Sequence, residues 1–97
     1  MNFDCESEWN EITETLASVT DKDFMKDLML VLLTAGEREE LAKRWALVKQ
    51  LYQGRSQRAI ANDLGLSLCK ITRGSKELKR ENSAFVRIFR IKENQNG

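Results

Sequence analysis

At 97 residues the chain has room for one domain, near the lower size at which a domain folds alone. Its content of 41% hydrophobic and 32% charged residues excludes a disordered polymer, and no apolar run approaches the roughly 18 residues of a membrane span. There is no histidine, and the only cysteines, Cys5 and Cys69, are far apart, so no metal site is expected and both thiols suit a reducing compartment. The stretch Met1-Asn2-Phe3-Asp4-Cys5 lacks the basic-then-apolar pattern of a secretory signal, which predicts a cytoplasmic protein.

The net charge of +1 conceals a segregation. Residues 1–23 carry seven acidic groups against Lys22 alone, whereas residues 53–80 carry seven basic groups against Asp63 and Glu77. A basic segment in an otherwise balanced chain is the electrostatic footprint of phosphate binding, although a solvated helix face produces the same pattern.

In chain order, Trp9, Ile12, Leu16 and Val19 recur at helical spacing and predict a first amphipathic helix from about Glu6 to Val19. Thr20 or Asp21 is placed to cap a second helix reaching about Leu33. The stretch from Phe24 to Leu33 is apolar on more than one face, which predicts burial between helices or between subunits. Thr34-Ala35-Gly36-Glu37 reads as a capping box that opens a third helix ending near Gln53. Leu41, Trp45, Val48 and Tyr52 form its apolar stripe, and Gly54 supplies the left-handed stop. A last helix is expected from about Ser83 to Lys92, carrying Phe85, Val86, Ile88 and Phe89. No strand pattern competes, so the fold class is all-α.

Residues 56–75 are the most informative. Ser56 is placed to cap a short helix over Gln57 to Leu64, Gly65 to make a turn, and Ser67 to cap a second helix from Leu68. Ala61 is small where two helices would cross, Gly65 permits the positive φ of a tight turn, and Ile71 packs back on Ile60 and Leu64. This is the pattern of a helix-turn-helix, whose second helix turns its N-terminal residues toward base edges in the major groove. Leu68, Cys69 and Thr72 would then face bases, with Cys69 a small apolar partner for a thymine methyl. Gln57 and Arg58 would meet phosphates, and Lys70, Ser75, Lys76 and Lys79 would extend the DNA surface. The alternative is a helical hairpin with an exposed basic side.

Glu37-Arg38-Glu39-Glu40-Leu41-Ala42-Lys43-Arg44, Ser56-Gln57-Arg58 and Ile71-Thr72-Arg73-Gly74-Ser75 together resemble the Trp repressor family, over roughly Leu28 to Lys79. The resemblance implies a single domain over residues 1–97, an intertwined helical homodimer, and a reading head at about residues 56–75 in each subunit. It also implies a palindromic double-stranded operator with half-sites about 34 Å apart, a docking geometry that belongs to the family itself. L-tryptophan would be the corepressor, wedged between core and reading head, with no other cofactor. Carried over by position, Arg44 and Arg73 would sandwich the indole, as guanidinium planes stack well on aromatic faces. Thr34 would line the pocket, Gly74 would admit the indole, and the Val31 and Leu33 carbonyls would receive the ammonium.

The chain departs from the family pattern in places. Glu77 stands where the family usually has a serine that meets the ammonium, and Lys70 replaces a threonine. The loop Gln53-Gly54-Arg55 is one residue shorter and the N-terminal arm is short. Two other readings compete with a tryptophan-activated repressor: a helix-turn-helix regulator with another effector or none, and a helical interaction module with an acidic partner. An enzyme is not expected, because neither cysteine has a base beside it in sequence and most carboxylates sit on helix faces or in the acidic N-terminal block.

Overall fold

The computed structural model describes residues 2–96, which form six helices with no strand among the described residues. The protein is therefore all-α, as its sequence pattern predicts. Its internal contacts gather into two units, Met1–Arg38 and Glu39–Gly97.

In the first unit, α1 spans Cys5–Ser18 and α2 spans Lys22–Leu32. Asp21 is the cap between them: its Oδ1 accepts from the amides of Asp23 at 2.9 Å and Phe24 at 3.2 Å. The third helix, α3, spans Ala35–Tyr52. At its start the predicted capping box is complete. The Glu37 amide donates to the Thr34 hydroxyl at 3.1 Å, and the Thr34 amide donates to Glu37 Oε1 at 2.9 Å. The Thr34 amide first, and then the Thr34 hydroxyl, hold the Glu37 carboxyl below its ordinary value.

The expected burial of the apolar stretch is not met within one chain. Neither α1 nor α2 contains a buried residue, and Trp9, Phe24 and Val31 are 63%, 57% and 80% exposed. The periodicity is helical, but within a single chain its apolar side chains are at most partly covered.

In the second unit, α3 is followed by α4 (Gln57–Leu64), α5 (Leu68–Lys79) and α6 (Ala84–Asn96). Leu47 and Val48 of α3, Ile60 of α4, Ile71 of α5 and Phe89 of α6 form its buried centre. Each helix thus contributes a side chain to one cluster, with Leu51, Leu64, Leu66 and Leu78 packed around it. Phe89 also joins an aromatic group, its ring centroid 5.1 Å from both Trp45 and Tyr52. Burial, then the neighbouring Glu93 carboxylate, pushes the Tyr52 phenol up from its ordinary value. The predicted stripe on α3 is buried only in its second half, since Leu41 and Trp45 remain 43% and 36% exposed.

Gly54, at φ +88°, ends α3 as its sequence position predicts. The amides of Gly54 and Arg55 donate to the carbonyls of Leu51 and Gln50, both at 3.0 Å, which closes the last turn with the two bonds of a Schellman motif. The last helix runs four residues beyond its predicted end. Lys92 to Asn96 contain no glycine or proline, so nothing stops the helix at Lys92.

Candidate nucleic-acid interface and ligand residues

The segment from Ser56 to Lys79 is built by local chemistry. Ser56 Oγ accepts from the Ala59 amide at 3.2 Å and Ser67 Oγ accepts from the Lys70 amide at 3.4 Å, so each helix begins on a serine cap. Between them Gly65 takes φ +63°, and its amide and that of Leu66 both turn back to the Ala61 carbonyl. Ile60 and Ile71 are fully buried on the facing sides of α4 and α5, and Leu64 and Leu66 pack against them. Burial of Ile71 on one side fixes which side of α5 is outward.

That outward side carries six of the sixteen predicted contact residues. Leu68, Cys69, Thr72, Arg73, Lys76 and Glu77 together line an open depression of about 560 Å³. At roughly 100° per residue, Leu68 and Thr72 lie along one edge of this face and Arg73 and Glu77 along the other. The residues assigned to bases and, of those assigned to tryptophan, Arg73 and Glu77 are therefore adjacent strips of one face. Lys70 and Lys79 are exposed beside it, whereas Ser75 is half-buried toward the core side. Gln57 and Arg58 are exposed at the start of α4, outside the depression.

Arg44 is exposed on α3. Neither Arg44 nor Arg73 has an ion-pair partner among the described residues. Glu77 is half-buried and pairs with Arg80 at 3.2 Å. Val31 lies in the last turn of α2 and Leu33 just beyond it. Carbonyls at a helix C-terminus have no intrahelical donor and carry the negative end of the dipole. Gly74 is buried at the middle of α5. A Cβ placed on it would meet Leu47 Cδ2 and Leu51 Cδ1 at 3.4 Å, which is ordinary contact, so packing of this unit does not demand a glycine there.

One basic residue behaves differently from its sequence reading. Arg55, counted with the phosphate-binding charge, donates from Nη1 to Gln50 Oε1 at 2.6 Å and pairs through Nη2 with Asp63. It ties the end of α3 to α4. The signal was an acidic residue eight positions on, a separation across a turn that helical periodicity does not flag. Both cysteines are exposed and free, and the described residues contain no group of three or more side chains arranged to hold a metal ion. No helix among them is long and apolar enough to cross a membrane.

An all-helical chain with two serine-capped helices, a glycine turn and a basic outward face fits the helix-turn-helix class of DNA-binding regulators. The protein belongs to the Trp repressor family: the family model described as "Trp repressor protein" matches residues 7–93. Curated relatives include a "Trp operon repressor homolog" of Chlamydia trachomatis serovar L2, 35% identical over 81 residues that cover 82% of this chain and 86% of that protein. Homologs of the same name from Vibrio parahaemolyticus and Vibrio campbellii are 38% and 40% identical, covering 79% and 74% of this chain and 76% and 73% of theirs. No solved structure matches with comparable significance.

Proposed function

We propose that the chain, acting as one Trp-repressor-like domain, is a transcriptional repressor of tryptophan-metabolism genes. It binds a palindromic double-stranded operator as a homodimer in the cytoplasm, is activated by L-tryptophan and has no catalytic role. The observation that carries this reading is the outward face of α5, where Leu68, Cys69 and Thr72 adjoin Arg73 and Glu77. One helix then serves both partners, and a ligand bound along one strip alters how the other is presented. Gln57, Arg58, Lys70, Ser75, Lys76 and Lys79 are the further DNA contacts in this reading.

For tryptophan, Arg44 and Arg73 hold the indole, both exposed and without an ion-pair partner among the described residues. The Val31 and Leu33 carbonyls suit an ammonium on dipole grounds, with Thr34 and Glu77 completing the polar contacts. Gly74, whose surroundings tolerate a methyl, keeps the conformational cost of glycine in mid-helix for the ligand's sake.

Titrating L-tryptophan calorimetrically, and selecting duplexes from a random pool with and without it, tests the reading. Saturable heat and a palindrome enriched only with tryptophan are expected. Because binding free energies are reciprocal, the selected duplex then tightens tryptophan by the same factor. Absence of heat together with enrichment independent of tryptophan overturns the corepressor role. It favours instead a regulator with another effector or none, for which the ion-paired Glu77 in place of the family serine is the supporting observation.

A further inference from the structure

We infer that the reading helix identifies its operator by apolar contact with thymine methyl groups rather than by side-chain hydrogen bonds to base edges. This inference rests on the DNA-binding reading above.

The argument starts at the N-terminus of α5, the end that a helix-turn-helix turns toward the bases. Its cap, Ser67, turns its hydroxyl oxygen inward to the Lys70 amide. Thr72, the first hydroxyl within the helix, donates its proton to the Leu68 carbonyl at 2.8 Å. Its proton is thereby engaged by the backbone, so the side chain offers its methyl and an acceptor oxygen but no donor. Leu68 is 61% exposed although it is an aliphatic residue with no core role, and Cys69 is exposed beside it. At about 100° per residue these three positions fall within roughly 100° of arc. Lys70 points about 160° away from Thr72 on the same count, toward the backbone rather than the groove floor.

The strip is therefore apolar at the N-terminal end of α5, with Lys76 and Lys79 further along the same arc and Lys70 to its side. A purely apolar partner would gain nothing from the cations, and a purely anionic one nothing from Leu68. Duplex DNA offers both: phosphates at the groove edges, and in the major groove a single apolar base substituent, the thymine C5 methyl. Exposing Leu68 to water has a free-energy cost that a methyl contact removes on binding.

The test uses the full-length protein, L-tryptophan, and the duplex selected from the random pool. Each thymine of that duplex is replaced in turn by deoxyuridine, which deletes one methyl and leaves every hydrogen-bonding group in place. Wild-type protein is expected to lose about fourfold in affinity at each thymine the strip meets, the value of one buried methyl. Leu68→Ala, a change at an exposed position whose folding is checked by helical circular dichroism, should abolish that penalty at one symmetric pair of thymines and leave the others. A selected duplex without thymine at symmetric positions, or one indifferent to deoxyuridine throughout, overturns the inference while leaving DNA binding intact. Failure of any duplex to be enriched removes the DNA-binding reading and this inference with it.

Discussion

Gly74 lies opposite Leu47 with room for one more carbon: a methyl on the glycine would stand 3.4 Å from the leucine Cδ2. Glycine in mid-helix is less favourable than alanine by about 0.5–1 kcal/mol. Gly74→Ala is therefore expected to raise the melting temperature of the ligand-free protein. In the proposed role the same methyl intrudes on the indole, and overpacking of that kind costs about 1–3 kcal/mol. Thermal melting and calorimetric titration of the one variant separate the two effects. A stabilised variant with unaltered tryptophan affinity would remove Gly74 from the ligand site.

Glu37 carries a pH dependence whose sign is fixed by its bonds to Thr34. The Thr34 amide, which donates to Oε1, and then the Thr34 hydroxyl favour the charged carboxylate, so its value in the folded chain lies below the ordinary 4.5. The stabilisation is complete above that ordinary value and is lost as pH falls through the folded one. The urea midpoint of the wild type should therefore exceed that of Glu37→Gln at neutral pH, with the gap closing in acid. Thr34→Ala removes the reciprocal cap and should cost about 1 kcal/mol at pH 7. A gap that stays constant from neutral to acid pH would contradict the assignment.

Much of the fold was legible because its signals are local. Asp21, Ser56 and Ser67 cap the helices they precede, and Gly54 and Gly65 take the positive φ their positions demand. Ile60 and Ile71 were readable as a facing pair because both lie at fixed offsets from Gly65. What lay hidden depends on distance or on absence. No stop residue marks the end of α6, and the partnership of Arg55 with Asp63 spans a turn. The bond from the Thr72 hydroxyl to Leu68 was not legible, since a rotamer is not a sequence pattern. The family resemblance rests on short motifs that include Arg44 and Arg73, so the proposed ligand pair is legible through that resemblance and not through periodicity.

The Arg55 pairing changes how the basic segment should respond to salt. A lysine that neutralises a phosphate releases a counterion, so Lys76→Gln is expected to lower the slope of log affinity against log salt by about 1. Arg55→Gln should leave that slope unchanged, because this guanidinium is already engaged by Gln50 and Asp63. With both partners partly exposed, at 43% and 53%, the pair should contribute at most about 1 kcal/mol to stability. Fluorescence anisotropy on the selected duplex over a range of salt concentrations checks both variants. A reduced slope for Arg55→Gln would return it to the phosphate-binding set.

The exposed apolar side chains of the first unit carry the remaining prediction. Monomeric proteins rarely leave a contiguous apolar patch of more than a few hundred Å² in water, yet Trp9, Ile12, Phe24, Leu30 and Leu32 are all exposed in a single chain. A helix such as α2, with no buried residue, draws little of its stability from packing within that chain, and an isolated helix of this length is marginal. A second copy that covers this face would supply the missing contacts, as the proposed intertwined homodimer requires. Sedimentation equilibrium should therefore find a dimer, and blue-shifted Trp9 emission should accompany it. Phe24→Asp places a charge on the face without touching the Leu47, Val48, Ile60, Ile71 and Phe89 centre. It should shift the equilibrium to monomer, with loss of helical signal from the first unit but a preserved melting transition from the second. A monomeric wild type, or a variant that dimerises as tightly, would show that this face is covered in some other way.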